Sequence, residues 1–289
     1  MENENEHQTT LVGITGESND CLHILANLYY EPVDPESVLS VVVRLAHKPD
    51  VKGNVIYSTE TWCTSMDQSP GGGLFVVSME GELHVFRQGA WRLLNLDCPS
   101  GLNSVWVATD NEAFAVGLKG ERARIVGETV ELVRDAEGRR LNCVHGSGPR
   151  NVFAVGDGGL IFRFDGVVWE ELPALTESNL LTVLCKSEKE VYVGGAGGVL
   201  LHWNGVRWNV IRIAGIAEIT ITSIAFYRDT LYAAVGRAGV YVLRENVLEP
   251  IKDEVLYRLR SIDDLLFGIG NRLVLQYDGE SWWGGDLDL

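Results

Sequence analysis

Two stretches decide how this chain folds: residues 152–169, VFAVGDGGLIFRFDGVVW, and residues 191–208, VYVGGAGGVLLHWNGVRW. Each runs from an apolar strand through a glycine-rich turn into a second strand, then through Asp165-Gly166 or Asn204-Gly205 to a closing tryptophan. Within Leu160-Ile161-Phe162-Arg163-Phe164 the strand is only about five residues long and its one charged residue fits a period of two. The runs Gly156-Asp157-Gly158-Gly159, Gly195-Ala196-Gly197-Gly198 and Gly236-Arg237-Ala238-Gly239 suit a tight hairpin, because glycine reaches positive φ without a Cβ clash. Asp-Gly and Asn-Gly pairs, again at Asp278-Gly279, are strong short hairpin signals. Two hairpins per unit predict four strands.

Working outward, the same pattern occupies residues 74–91 and 113–130. Phe75, Phe114, Phe153 and Tyr192 follow one another at 39 positions, and Trp91, Val130, Trp169 and Trp208 keep the same interval. Phe86, Ile125, Phe164 and Trp203 form a further column, continued less regularly by Leu243 and Tyr277. A small residue precedes an apolar one at Ser65, Ser104, Cys143, Thr182, Ser223 and Ser261, as suits a crowded innermost strand. A repeat of this length with no helical stretch predicts an all-β fold, a β-propeller of seven four-stranded blades, with six as the alternative count. The expected layout is an acidic N-terminal tail over 1–10 and a single propeller over 11–289. Its blades fall near 11–60, 61–100, 101–140, 141–179, 180–220, 221–257 and 258–289. The first blade is the degenerate one: strands are expected from Cys21 to Tyr30 and from Ser37 to His47, and Glu31-Pro32-Val33-Asp34-Pro35 interrupts them.

The chain has 289 residues, 46% hydrophobic and 22% charged, which fits a globular protein and excludes disordered and fibrous classes. Forty acidic against 24 basic residues give a formal charge of -16. Such a surface repels phosphate backbones and anionic lipid, so the expected partner is a basic protein, with no direct nucleic acid and no membrane. The five cysteines are an odd number without a CxxC pair, and the polar, acidic start lacks a secretory pattern; both point to the cytoplasm.

The two quoted stretches resemble bacterial propellers of the BNR/YCF48-like group, within the WD40-like superfamily, over roughly residues 60 to 285. The resemblance implies the propeller fold and leaves function open, since the group includes assembly factors and binding modules. The Trp-Asp and Gly-His dipeptides of WD40 blades are absent, and the repeat is shorter than that of Kelch blades. The Asp-box of sialidase-like propellers is not reproduced, its nearest counterpart being Ser65-Met66-Asp67-Gln68-Ser69-Pro70. That weakens the case for a glycosidase.

No metal-ligand spacing, nucleophile elbow or phosphate loop is found, so no cofactor and no catalytic residue are expected. The glycine runs each lead into a strand, whereas a phosphate cradle opens onto a helix. His84 falls in an apolar column and is read as a structural histidine, and Trp91, Trp169, Trp208 and Trp282 as inter-blade packing. Trp106 and Trp283 break the columns and are the candidate interface anchors. The remaining candidates lie where the repeat keeps its frame but changes residue type, and these loops are expected on one face. The turns hold Glu80, Lys119, Asp157 and Arg237; the links between blades hold Asp97, Asp135, Glu137, Glu177, Glu218, Asp253 and Glu254. These features favour a non-catalytic binding protein, such as a bacterial inhibitor or immunity-type protein holding a cationic toxin domain on an acidic face. Two other readings stay open: an enzyme or carbohydrate-binding propeller with a pocket in the central channel, and an assembly or scaffold factor.

Overall fold

Strands of about five residues joined by tight turns cannot bury an apolar face alone, so each sheet needs a neighbour on both sides. The computed structural model describes residues 7–30, 33, 37–46, 53–213 and 219–289, and it meets this need with a closed ring of seven antiparallel sheets. The blades comprise residues 8–59, 63–95, 102–133, 141–172, 180–210, 223–252 and 258–286, in ring order. Each is built from four consecutive strands, and blade 6 gains a fifth, Arg212–Ile213, laid parallel to its outer strand Val247–Lys252. The first strand begins at Gln8, so Gln8, Thr9 and Thr10 belong to the sheet.

The first strand of each blade is innermost. These are Gln8–Ser18, Cys63–Gln68, Leu102–Thr109, Leu141–Gly148, Leu180–Ser187, Ser223–Tyr227 and Arg258–Ile262; each packs on the next and the last packs on the first. Apolar clusters among the described residues fill each of the seven seams. Phe114 joins Val144 and Phe164 across the seam between blades 3 and 4, and Phe153 joins Val183 and Leu201 across the next. The closing tryptophans reach the other way. Trp91 stacks on Tyr57 of blade 1 with ring centroids 4.0 Å apart, and Trp169 and Trp208 meet Phe114 and Phe153 of the preceding blade edge-on. The repeated aromatic columns are therefore the two halves of one seam, each buried aromatic contributing about 2–3 kcal/mol.

The ring shuts without exchanging a strand. Leu11, Ile14 and Ile24 of blade 1 pack with Ile262, Phe267, Ile269 and Leu287 of blade 7. The Leu11 N–H donates to the Asn271 carbonyl at 2.8 Å, and the Asn19 N–H to the Asp263 carboxylate at 2.9 Å.

Inner strands are sheet edges, so their backbone groups need partners from the adjacent blade. The small column supplies them. The hydroxyls of Ser65, Ser104 and Ser223 accept from the N–H groups of Val105, Val144 and Leu259 at 3.3, 3.2 and 3.0 Å. One position earlier, Thr64, Asn103 and Asn142 donate to the carbonyls of Leu102, Leu141 and Leu180. These bonds also correct one position in the column. Ser223 bonds Leu259, so the blade 7 member is Arg258 and not Ser261; the last inner strand comes round after fewer residues, which breaks the 39-residue interval. In blade 1 the bulge between Leu11 and Gly13 matches that between Leu141 and Cys143, placing Gly13 in the column.

Glycine is required where the turn between second and third strands meets the next link. Gly159 has φ 77°, and a Cβ there would strike the Thr176 carbonyl oxygen.

Candidate functional site

Stacking seven inner strands around an axis turns each register position into a ring of seven side chains. The small ring is Gly13, Ser65, Ser104, Cys143, Thr182, Ser223 and Arg258. Two positions on, the ring reads Thr15, Asp67, Trp106, His145, Leu184, Ala225 and Arg260. Together these rings line a central channel of about 420 Å³, continuous at one end with a 540 Å³ mouth that adds Glu17 and Gly71 and shares Asp67, Trp106 and Arg260.

Asp67 ties three blades together. One carboxylate oxygen accepts from the Val107 N–H at 2.8 Å, and the other takes the Arg260 guanidinium at 2.7 Å, spanning blade 1. Asp67 is the one carboxylate among the residues lining the channel, and both its oxygens are engaged. His145 accepts at Nδ1 from the Cys185 N–H at 3.2 Å, and burial lowers its pKa to about 4. It is neutral at pH 7. Burial likewise raises the thiols of Cys143 and Cys185, so both stay protonated. Paired carboxylates of the kind hydrolytic propeller chemistry needs do not converge here among the described residues.

The residues expected from sequence fall in three places. Chain direction alternates along each blade, so the turns between second and third strands and the links between blades share one end of the ring, the link face. It carries Glu80, Lys119, Asp157 and Arg237 on the turns and Asp97, Asp135, Glu137, Glu177, Asp253 and Glu254 on the links. Glu218 lies outside the described residues. Trp106 is elsewhere: half-buried in the channel wall toward the opposite face, resting over Gly146, where a Cβ would come within 2.6 Å of the indole. Trp283 lies on the outermost strand of blade 7 and is 39% exposed at the rim. The two tryptophans do not join the acidic loops in one site.

Several link-face carboxylates already have cations of the same chain. Asp97 meets Arg134 at 3.4 Å, Glu254 meets Lys252 at 3.4 Å, and Arg139 sits among Asp135, Glu137 and Glu171 at 2.9, 3.3 and 2.6 Å. The hydrogen bond from Arg139 holds the Asp135 carboxyl down at about 2. Asp157 accepts from Asn142 at 2.8 Å. Glu80, Glu177 and Asp253 are exposed and form no ion pair among the described residues.

His84 is a structural histidine as expected: 1% exposed, with the Tyr57 hydroxyl 2.7 Å from Nδ1 and burial lowering its pKa. Sequence reasoning passed over Asp67, His145, Arg258 and Arg260. Asp67 and His145 had a signal, each standing two residues after a member of the small column, as Trp106 does. Arg258 was hidden by the interval break.

Seven four-stranded blades around an open channel define the class: a seven-bladed β-propeller. Among solved structures the chain is similar to the WD40 β-propeller domain of Doa1, with a TM-score of 0.78 at 8% identity, covering 96% of this chain and 97% of that one. It is also similar to YCF48 bound to D1 peptide, with a TM-score of 0.70 at 12% identity and 96% of both chains covered. A third is virginiamycin B lyase from Staphylococcus aureus, with a TM-score of 0.66 at 10% identity, covering 91% of this chain and 95% of that one. No protein-family model and no curated protein sequence matches. At these identities the likeness is one of fold, and the fold serves a lyase in one neighbour and a peptide-bound protein in another.

Proposed function

We propose that this chain is a non-catalytic protein-binding propeller that captures a basic polypeptide on its link face. The observation that carries the reading is the grouping of exposed carboxylates from successive blades on one end of a rigid ring, in a chain of formal charge -16. Glu80, Glu177 and Asp253 are the residues free to pair with a partner's lysines and arginines. Asp97, Asp135, Glu137 and Glu254, with Lys119, Asp157 and Arg237, set the shape and local charge around them. Trp283, next to the turn between the third and fourth strands of blade 7, lies toward the opposite end and outside this surface. The narrower form of the reading is a bacterial, cytoplasmic inhibitor of immunity type that covers a cationic toxin domain. The structural likeness to a YCF48 bound to D1 peptide supports a second reading, a scaffold that holds a polypeptide during assembly.

The test is a pull-down from source lysate at low and high salt, repeated with the triple variant Glu80→Lys, Glu177→Lys, Asp253→Lys. A basic partner that is lost at high salt and binds the variant at least about tenfold more weakly is expected. A partner retained equally by the variant, or none at either salt, defeats the reading. Stoichiometric silencing of the partner's activity distinguishes inhibitor from scaffold.

A further inference from the structure

The channel wall carries the opposite charge from the protein as a whole. Its lining includes Lys186, Arg258 and Arg260 against a single carboxylate, Asp67. Two of the three cations are balanced: Arg260 by Asp67 at 2.7 Å, and Lys186 by Asp229 at 3.3 Å. Arg258 is the third. Its one hydrogen bond to the protein among the described residues is a long donation from Nη1 to the Thr222 carbonyl at 3.4 Å. That leaves four of the five N–H donors of the guanidinium without a protein acceptor.

The register explains why this cation faces the channel. Every other member of its ring is small, namely Gly13, Ser65, Ser104, Cys143, Thr182 and Ser223, so the one long side chain at that level has the ring centre as its open space. The residue is exposed to water through the channel, with the walls of the neighbouring blades around it. A cation in a concave channel of excess positive charge, with no carboxylate beside it, attracts an anion more strongly than an arginine on the open outer surface does. The wall at this level adds a hydroxyl donor: Ser65 uses its oxygen to accept from Val105, which leaves its O–H to donate, whereas the Ser104 hydroxyl lies against the Cys143 thiol. A planar fork of donors with a hydroxyl in the same ring matches the oxygens of a phosphate or a carboxylate.

We infer that the central channel is a binding site for a small oxyanion, held by Arg258 with the hydroxyl of Ser65. The volume of about 420 Å³ admits an ion of this size with bridging waters. This site is separate from the carboxylate face, and its test does not depend on a protein partner.

The full chain is melted in chloride buffer of constant ionic strength with rising inorganic phosphate, and in parallel with rising succinate. Saturable stabilisation is expected, with Tm climbing by about 2–3 °C for each tenfold increase beyond half-saturation. The arm with the stronger response identifies phosphate or carboxylate as the preferred source of oxygens. Arg258→Gln, checked for native circular dichroism, is expected to abolish the response, while Arg237→Gln on the link face leaves it intact. Broadening of the phosphate 31P resonance by wild-type protein, reversed by excess succinate, reads the site without any substitution. Absence of saturable stabilisation and of broadening in wild type overturns the inference, as does an undiminished response in folded Arg258→Gln.

Discussion

At the residue scale, His145 has its Nδ1 committed to an N–H of the next blade, and burial makes its protonated form costly. Its folded pKa of about 4 lies below the ordinary 6.5, so the unfolded chain takes up the proton first as pH falls. Stability therefore declines as pH is lowered from about 6.5 toward 4 and levels off below, where both states are protonated. Urea midpoints measured across that window are expected to show the decline. His145→Gln, whose carboxamide oxygen can accept the same N–H, flattens part of it; His23, His84 and His202, lowered by burial too, supply the rest. An unchanged slope in the variant would contradict a neutral, bonded His145. Asp67 makes the complementary case. It is 3% exposed and holds blades 2, 3 and 7 together, so Asp67→Ala leaves an N–H and a guanidinium unsatisfied. A loss of about 3 kcal/mol in urea unfolding is expected. A loss under about 1 kcal/mol would mean that water replaces the carboxylate at little cost.

At the element scale, each blade is a contiguous run of chain, and the ring closes by packing one finished sheet on another. Such a seam has no strand to lock it. Its stability depends on both faces being present, which makes blade 7 indispensable. A chain ending at Val255 would uncover the blade 6 face around Tyr227 and Tyr232 and the blade 1 face around Leu11 and Ile24. Exposed apolar faces of that size drive association, so the truncated chain is expected in the void volume on size exclusion. A folded monomer of six sheets would show that the seams tolerate a wider turn per blade. The blades themselves were legible because hairpin turns and alternating strands are local signals. Ring closure was not, because Leu11 and Asn271 meet only after the whole circuit.

At the scale of the whole molecule, charge divides into an acidic exterior and a channel with excess positive charge. If the link face captures a basic partner, its association rate is expected to fall steeply with ionic strength in stopped-flow mixing, whereas oxyanion binding at the same ionic strengths falls less, being shielded by the ring. The net charge was readable from composition; which carboxylates remain unpaired was not. Asp135 and Glu137 looked equivalent to Glu80 and Glu177 until folding placed Arg139 between the first two. The sequence alone determined the strands, the turns, the repeat and the columns that become seams, because each depends on neighbours within one blade. Only the tertiary structure decided that Arg258 replaces Ser261 in the small ring, that Trp106 turns into the channel, and that Asp67 reaches Arg260. Those outcomes depend on residues from distant blades converging on one axis, and the distance between their chain positions carries no local trace of that convergence.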